Sequence, residues 1–160
     1  MAVSSNKKVL VVRFDRETLQ GFVQTPGGLD GDSVELLKMG GTVVRIPFAE
    51  TKLVCFVRDF ESEESWKDHR TFASRPKTTG LWLRFTFRDG DWVEGIAPNN
   101  LLLADASGFQ AVPPDPTFQN QRVFVPRAAL ASVQVLGVIG SPLRRPAKQK
   151  ASGDQLKMFE

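Results

Sequence analysis

The sequence predicts a mainly β protein made of two similar halves joined by a short polar connector. Three observations carry that prediction. Apolar residues recur with period two: Leu81, Leu83, Phe85 and Phe87 alternate with Trp82, Arg84, Thr86 and Arg88. Glycine, proline and Asp-Gly pairs punctuate the apolar runs at short intervals. The order of residue types in the first half then returns in the second, some 74 to 79 residues later.

In chain order, Lys8-Val9-Leu10-Val11-Val12-Arg13-Phe14 is rich in β-branched and aromatic residues and predicts a strand. Thr18 to Gln24 predicts the next, and Thr25-Pro26-Gly27-Gly28 to Gly31 a loop. Ser33 to Lys38 and Thr42 to Phe48 flank Gly40-Gly41, which predicts a hairpin with a two-residue turn. Thr51 to Arg58 is the fifth strand. Phe60 to Phe72 has no alternation and carries charges around Trp66, so it predicts a short helix or an ordered connector, followed by a linker at Ser74 to Gly80. Strand patterning resumes at Leu81, turns at Asp89-Gly90, and returns over Trp92 to Ala97, Leu101 to Leu103 and Phe109 to Val112. Pro113-Pro114-Asp115-Pro116 forces a loop. Arg122 to Val125 and Ser132 to Val138 complete the body. The stretch from Gly140 onward is Ser, Pro, Arg, Lys and Gln, a composition that predicts disorder.

The halves match segment by segment. Val12-Arg13-Phe14 corresponds to Phe85-Thr86-Phe87, and Leu19-Gln20-Gly21-Phe22 to Val93-Glu94-Gly95-Ile96. Ile46-Pro47-Phe48-Ala49 corresponds to Val125-Pro126-Arg127-Ala128, and Val54-Cys55-Phe56 to Val133-Gln134-Val135. Gly21 and Gly95 sit inside strands, where glycine permits the sharp bend a small barrel requires. Five short strands per half with such a glycine predict two tandem SH3- or Sm-like barrels. The expected organisation is a first barrel at 8–60, a connector at 61–79, a second barrel at 80–139 and a basic flexible tail at 140–160. Cores this small need further burial, so the halves are expected to pack on each other or across a homodimer.

Composition narrows the function. No apolar run approaches the ~18 residues of a membrane-spanning helix, and the polar start lacks a signal-peptide pattern. One cysteine, Cys55, excludes an internal disulfide framework and fits a reducing cytoplasm. One histidine, His69, with one cysteine does not make a zinc site. Residues 141–160 carry five basic and two acidic side chains, which accounts for the whole net charge of +3. A body without net charge is a poor general nucleic-acid binder.

Candidate chemistry is sparse. His69 has no nucleophile near it in sequence, and Cys55 lies in a strand between apolar neighbours. The carboxylates Asp59, Glu61, Glu63 and Glu64 read as solvated surface rather than a metal site. The glycines at 27, 28 and 31 are not followed by the Lys-Ser/Thr pair of a phosphate loop. No catalytic, metal or cofactor set is assembled, so an enzyme is not expected. Trp82, Arg84 and Arg88 share one strand face, a pattern able to stack and neutralise a single strand; the alternative reading makes Trp82 the cover of the seam between the halves. The sharpest signal is Gln155-Leu156-Lys157-Met158-Phe159, which sets three large apolar groups in a Pro/Lys/Arg/Ser-rich stretch.

Two resemblances follow from these residues. Leu53 to Phe60, Phe87 to Gly95, Pro113 to Pro116 with Asn120, Arg122 to Val125, and Ala128 to Val133 resemble an uncharacterised bacterial family of small β-barrel modules. Its members stand alone or joined to PilZ or signalling domains. The cyclic-dinucleotide signature of PilZ domains itself fails here: Arg70 and Arg75 are one residue too far apart, and Gln110 stands where Asp105-Ala106-Ser107 would need a glycine. Gln155-Leu156-Lys157-Met158-Phe159 resembles the Q-L-S/D-L-F peptide by which bacterial replication and repair proteins dock on the DNA sliding clamp. Gln155, Leu156 and Phe159 match, Met158 replaces leucine conservatively, and Lys157 departs from the pattern. The resemblance implies peptide docking, with apolar anchors in a pocket and the glutamine fixing register.

The reading is a non-enzymatic cytoplasmic binding module without a cofactor, whose peptide at Gln155, Leu156, Met158 and Phe159 docks on a protein partner. An Sm-like RNA- or single-strand-binding protein using Trp82, Arg84 and Arg88 is the alternative. A cyclic-dinucleotide-responsive, PilZ-associated regulator is the third reading.

Overall fold

The computed structural model describes residues 5–14, 18–25, 27–29, 31–60, 65–99, 107–115 and 119–140. The chain is mainly β, with ten strands among these residues: β1 (Ser5–Arg13), β2 (Leu19–Thr25), β3 (Ser33–Leu37), β4 (Val43–Pro47), β5 (Thr51–Val57), β6 (Gly80–Phe87), β7 (Trp92–Ala97), β8 (Gly108–Ala111), β9 (Asn120–Pro126) and β10 (Leu130–Ile139). Short 3-10 turns occupy Phe48–Glu50, Ser65–Asp68 and Arg127–Ala129. Among its described residues, the connector expected to be helical or irregular contains one 3-10 turn, at Ser65–Asp68. The predicted strand at Leu101 to Leu103 and the whole of 141–160 lie outside the described residues.

All pairings are antiparallel and run through two sheets. One has the order β4-β3-β2-β1-β5-β9-β8 and the other β10-β6-β7. A bridge between Ile96 and Val112 joins β7 to the end of β8. The pairings thus form one continuous series whose two unpaired ends, among the described residues, are β4 and β10. Among the described residues no closed five-stranded barrel is found. The reason is local: the outer edge of β5, where its own half would close, is taken by β9 of the other half, with Val54 opposite Phe124 and Cys55 opposite Val123.

The register of the second half repeats that of the first. Val9 faces Gly21 as Leu83 faces Gly95, at a shift of 74 residues in both strands. Val34 faces Ile46 as Phe109 faces Val125, at shifts of 75 and 79. Val11 faces Val54 as Phe85 faces Val133. These pairings align Val11, not Val12, with Phe85, which corrects the sequence alignment of the first strand by one residue. Pro47 and Pro126 open matching 3-10 turns, with φ/ψ of −59°/141° and −63°/141°. Two hairpin loops at non-equivalent places, β3–β4 and β6–β7, share one geometry. Gly41 (φ 93°) and Gly90 (φ 94°) close three-residue loops in which their N–H groups donate to Lys38 and Phe87 carbonyls at 2.9 Å. The loop at Gly40-Gly41 is thus one residue longer than a two-residue turn, and only Gly41 takes positive φ.

The core lies on both faces of the shared central strands. Leu10, Val12, Leu53, Cys55 and Val57 pack with Trp66, Leu83, Phe85, Phe87, Val123 and Val125 in one cluster. Val9, Val11, Val54 and Phe56 point the other way, into a cluster with Val23, Leu36, Ile46, Phe48 and Phe124. This explains the unbroken apolar runs at 9–12, 53–57 and 123–125: a strand buried on both faces has no polar side to alternate with. β6 keeps its alternation because its second face carries Trp82, Arg84 and Thr86, all half-buried.

Candidate functional site

The outward face of β6 and β7 is built around a buried carboxylate. Arg84 stands opposite Glu94 across the β6–β7 pair. Glu94 is 4% exposed, and its oxygens accept hydrogen bonds from Trp82 Nε1 at 2.9 Å and Arg84 Nη2 at 3.2 Å. The connector straps across this face. The Glu94 N–H donates to the Arg70 carbonyl at 2.8 Å, and the Phe72 ring meets Trp82 edge-on at 6.2 Å. The Arg84 guanidinium lies 4.6 Å from the Trp92 ring centre, within cation–π range. A buried carboxylate is tolerable only with such donors around it.

Arg88 lies one residue past β6, in the hairpin loop. Its guanidinium donates to the carbonyls of Ala128 and Ala49, one in each of the matching 3-10 turns, and covers the Phe14 ring at 3.9 Å. Trp82 and Arg84 therefore share a face with Glu94, while Arg88 ties the two halves together elsewhere. Trp82 is half-buried and meets Phe72 of the connector edge-on.

Beside this face, a cleft of about 520 Å³ opens between the connector and the proline-rich loop. His69, Arg75, Lys77, Pro114 and Asp115 line it. His69 Nε2 lies 3.9 Å from the Asp115 carboxylate, whose side chain is 1% exposed. Arg75 donates to the Val138 carbonyl at 3.3 Å. The pair places an imidazole beside a buried carboxylate on one wall of the cleft. Cys55 is buried, and burial, reinforced by the nearby Asp115 charge, pushes its thiol up to about 12. Its thiolate is not populated near neutral pH, so Cys55 acts as a packing side chain rather than a nucleophile.

A second polar centre sits between Lys52 and the β6–β7 loop. Lys52 Nζ donates to Asp89 at 2.8 Å and Asp91 at 2.9 Å, and Arg70 also pairs with Asp91. Lys52 lies within 5.3 Å of the Trp66 and Phe87 ring centres. Among the described residues no group of three or more His, Cys, Asp or Glu side chains is placed to hold a metal ion. The carboxylates at 61, 63 and 64 and the peptide at Gln155, Leu156, Met158 and Phe159 lie outside the described residues.

Sequence reasoning missed Glu94, Asp115 and the role of Lys52. For Glu94 a signal existed, since an acid directly across a strand pair from Arg84 and diagonal to Trp82 predicts a cross-strand pair. For Asp115 and Lys52 no local pattern indicates burial.

Fold and site together define a β-sheet protein with two register-matched halves sharing a central strand layer. The chain matches the family DUF6982, described as a family of unknown function, over residues 5–137, and belongs to it. No curated protein and no solved structure matches it. Among the described residues, no helix is long and apolar enough to cross a membrane.

Proposed function

We propose that this chain is a non-enzymatic adaptor of the cytoplasm: a tandem duplication of a five-stranded SH3/Sm-like module, fused into one platform, that carries a protein-docking peptide. The matching registers of the two halves support the duplication, since pairing, in-strand glycine and proline-opened turn recur at nearly constant shifts. The docking element is Gln155, Leu156, Met158 and Phe159, and the partner it fits is the bacterial DNA sliding clamp.

The observation that carries this reading is the state of the body's own recognition candidates. Trp82 and Arg84 are bound to buried Glu94, and Arg88 spans two backbone carbonyls. Stacking a base on Trp82 would mean displacing Phe72 and exposing part of that network. The pentapeptide, by contrast, offers Leu156, Met158 and Phe159 as anchors in a stretch that otherwise has no use for them.

The test is capture from a nuclease-treated bacterial lysate with the full chain beside a chain ending at Gly140. Recovery of the sliding clamp with the full chain alone, lost on Phe159→Ala, is the expected result. Steeply salt-dependent single-strand binding that survives removal of 141–160 and fails on Trp82→Ala would overturn it in favour of the nucleic-acid reading.

A further inference from the structure

β5 and β10 occupy equivalent positions in the two halves, yet their surroundings differ completely. All seven residues of β5 are buried, because β1 covers one edge and β9 the other. In β10 the residues equivalent to 52–56 are all exposed, since β6 covers one edge and nothing among the described residues covers the other. The strand equivalent to β9 is β4, and the outer edge of β4 is the other free end of the series. The two free edges are therefore the halves of a contact that the protein already makes once.

The exposed side chains agree. Val133, Val135 and Val138 on β10 are 38%, 54% and 52% exposed, and Val43 on β4 and Met39 before it are 61% and 66% exposed. These are the large exposed apolar side chains of the described surface apart from Val112. Within the chain, among the described residues, the contact is not made. Arg45 stands where β9 has Phe124, so β4 brings a charged and not an aromatic side chain to this position. At a surface the same arginine stays solvated, already paired with Glu35 at 2.7 Å.

We infer that β4 of one copy of this chain pairs antiparallel with β10 of a second copy, in the register that β9 adopts on β5. Transferring that register sets Val133 opposite Arg45, Gln134 opposite Val44 and Val135 opposite Val43. β10 carries two bulges: the one near Ala131 is no obstacle, because β5 breaks register at the equivalent Lys52 and still accepts β9, and the one at Leu136 lies just past Val135, at the end of the transferred register. Each copy offers one edge of each kind, so two copies that exchange both contacts leave no edge open, and copies that exchange one continue the series.

The inference rests on the two-copy correspondence and not on the docking peptide, so it is tested on the full chain and repeated on a chain ending at Gly140. Sedimentation velocity is expected to show concentration-dependent association in both. Val43→Lys and Val135→Lys each place a charge on one edge at an exposed position, leave thermal unfolding unchanged, and weaken association by about tenfold or more. Mixing the two variants restores a dimer, because one intact β4 then meets one intact β10. In a Cys55→Ala background, Val43→Cys with Val135→Cys gives an intermolecular disulfide on mild oxidation. A chain monomeric at all concentrations overturns the inference, as does association that neither lysine variant weakens, mixed variants that stay monomeric, or association lost with residues 141–160. Sliding-clamp capture is unaffected by any of these outcomes.

Discussion

Lys52 shows how a single charge is accommodated at the edge of an apolar core. Its stem packs among Phe14, Trp66 and Phe87 while its ammonium reaches Asp89 and Asp91. Burial alone would push those two carboxyls up; the hydrogen bond and charge of Lys52 outweigh it and hold both below 3.8. The sign of the pH effect follows. Groups depressed in the folded state contribute stability that is complete above their unfolded value and is lost as pH falls through the folded one. Lys52→Met is therefore expected to cost about 1–2 kcal/mol at neutral pH, a modest figure because the carboxylates keep part of their water. The difference from the native chain should shrink as the pH falls below about 4, where the unfolded carboxyls take up protons. Urea unfolding of both proteins at about pH 7 and pH 3 measures it, and an equal gap at both values contradicts the assignment.

Among the elements, β2 and β7 carry equivalent glycines, and the space around each sets the expected cost of a methyl group. A Cβ on Gly21 would lie 2.6 Å from the Leu37 carbonyl oxygen and 2.7 Å from the Leu36 side chain. On Gly95 it would meet Ala111 Cβ at 2.9 Å and the Val112 oxygen at 3.4 Å. Backbone oxygen cannot step aside as a side chain can, so Gly21→Ala is expected to destabilise by about 2–3 kcal/mol and Gly95→Ala by about 1–2. Denaturant midpoints rank them, and a larger loss at Gly95 contradicts the account. The in-strand position of these glycines was legible in the sequence, as were all ten of the described strands, because period-two alternation and turn residues are local signals. Pairing between distant strands is not local. The β5–β9 contact left only an indirect trace, the unbroken apolar runs of strands buried on both sides. The candidate face at Trp82 and Arg84 was visible for the same reason as the strands. What occupies it was hidden, because Phe72 and Arg70 arrive from a connector whose composition encodes no position.

At the scale of the molecule, the shared strands make the halves interdependent. Phe124 comes from the second half but fills the cluster formed by β1 to β5. Phe124→Ala is expected to cost about 3–5 kcal/mol and to lower one common transition, seen alike by tryptophan fluorescence and far-ultraviolet circular dichroism. The three tryptophans, Trp66, Trp82 and Trp92, all lie in the connector or the second half. Fluorescence that unfolds separately from the bulk strand signal would therefore show two independent domains and contradict the shared layer.

The most direct measurement of the adaptor reading is a titration of purified bacterial sliding clamp against the full chain by isothermal calorimetry, beside the chain ending at Gly140 and the Phe159→Ala variant. Saturable binding by the full chain alone, abolished by either change, is the predicted result. No heat from the full chain, or equal binding by the chain ending at Gly140, would contradict the claim that Gln155, Leu156, Met158 and Phe159 carry the function.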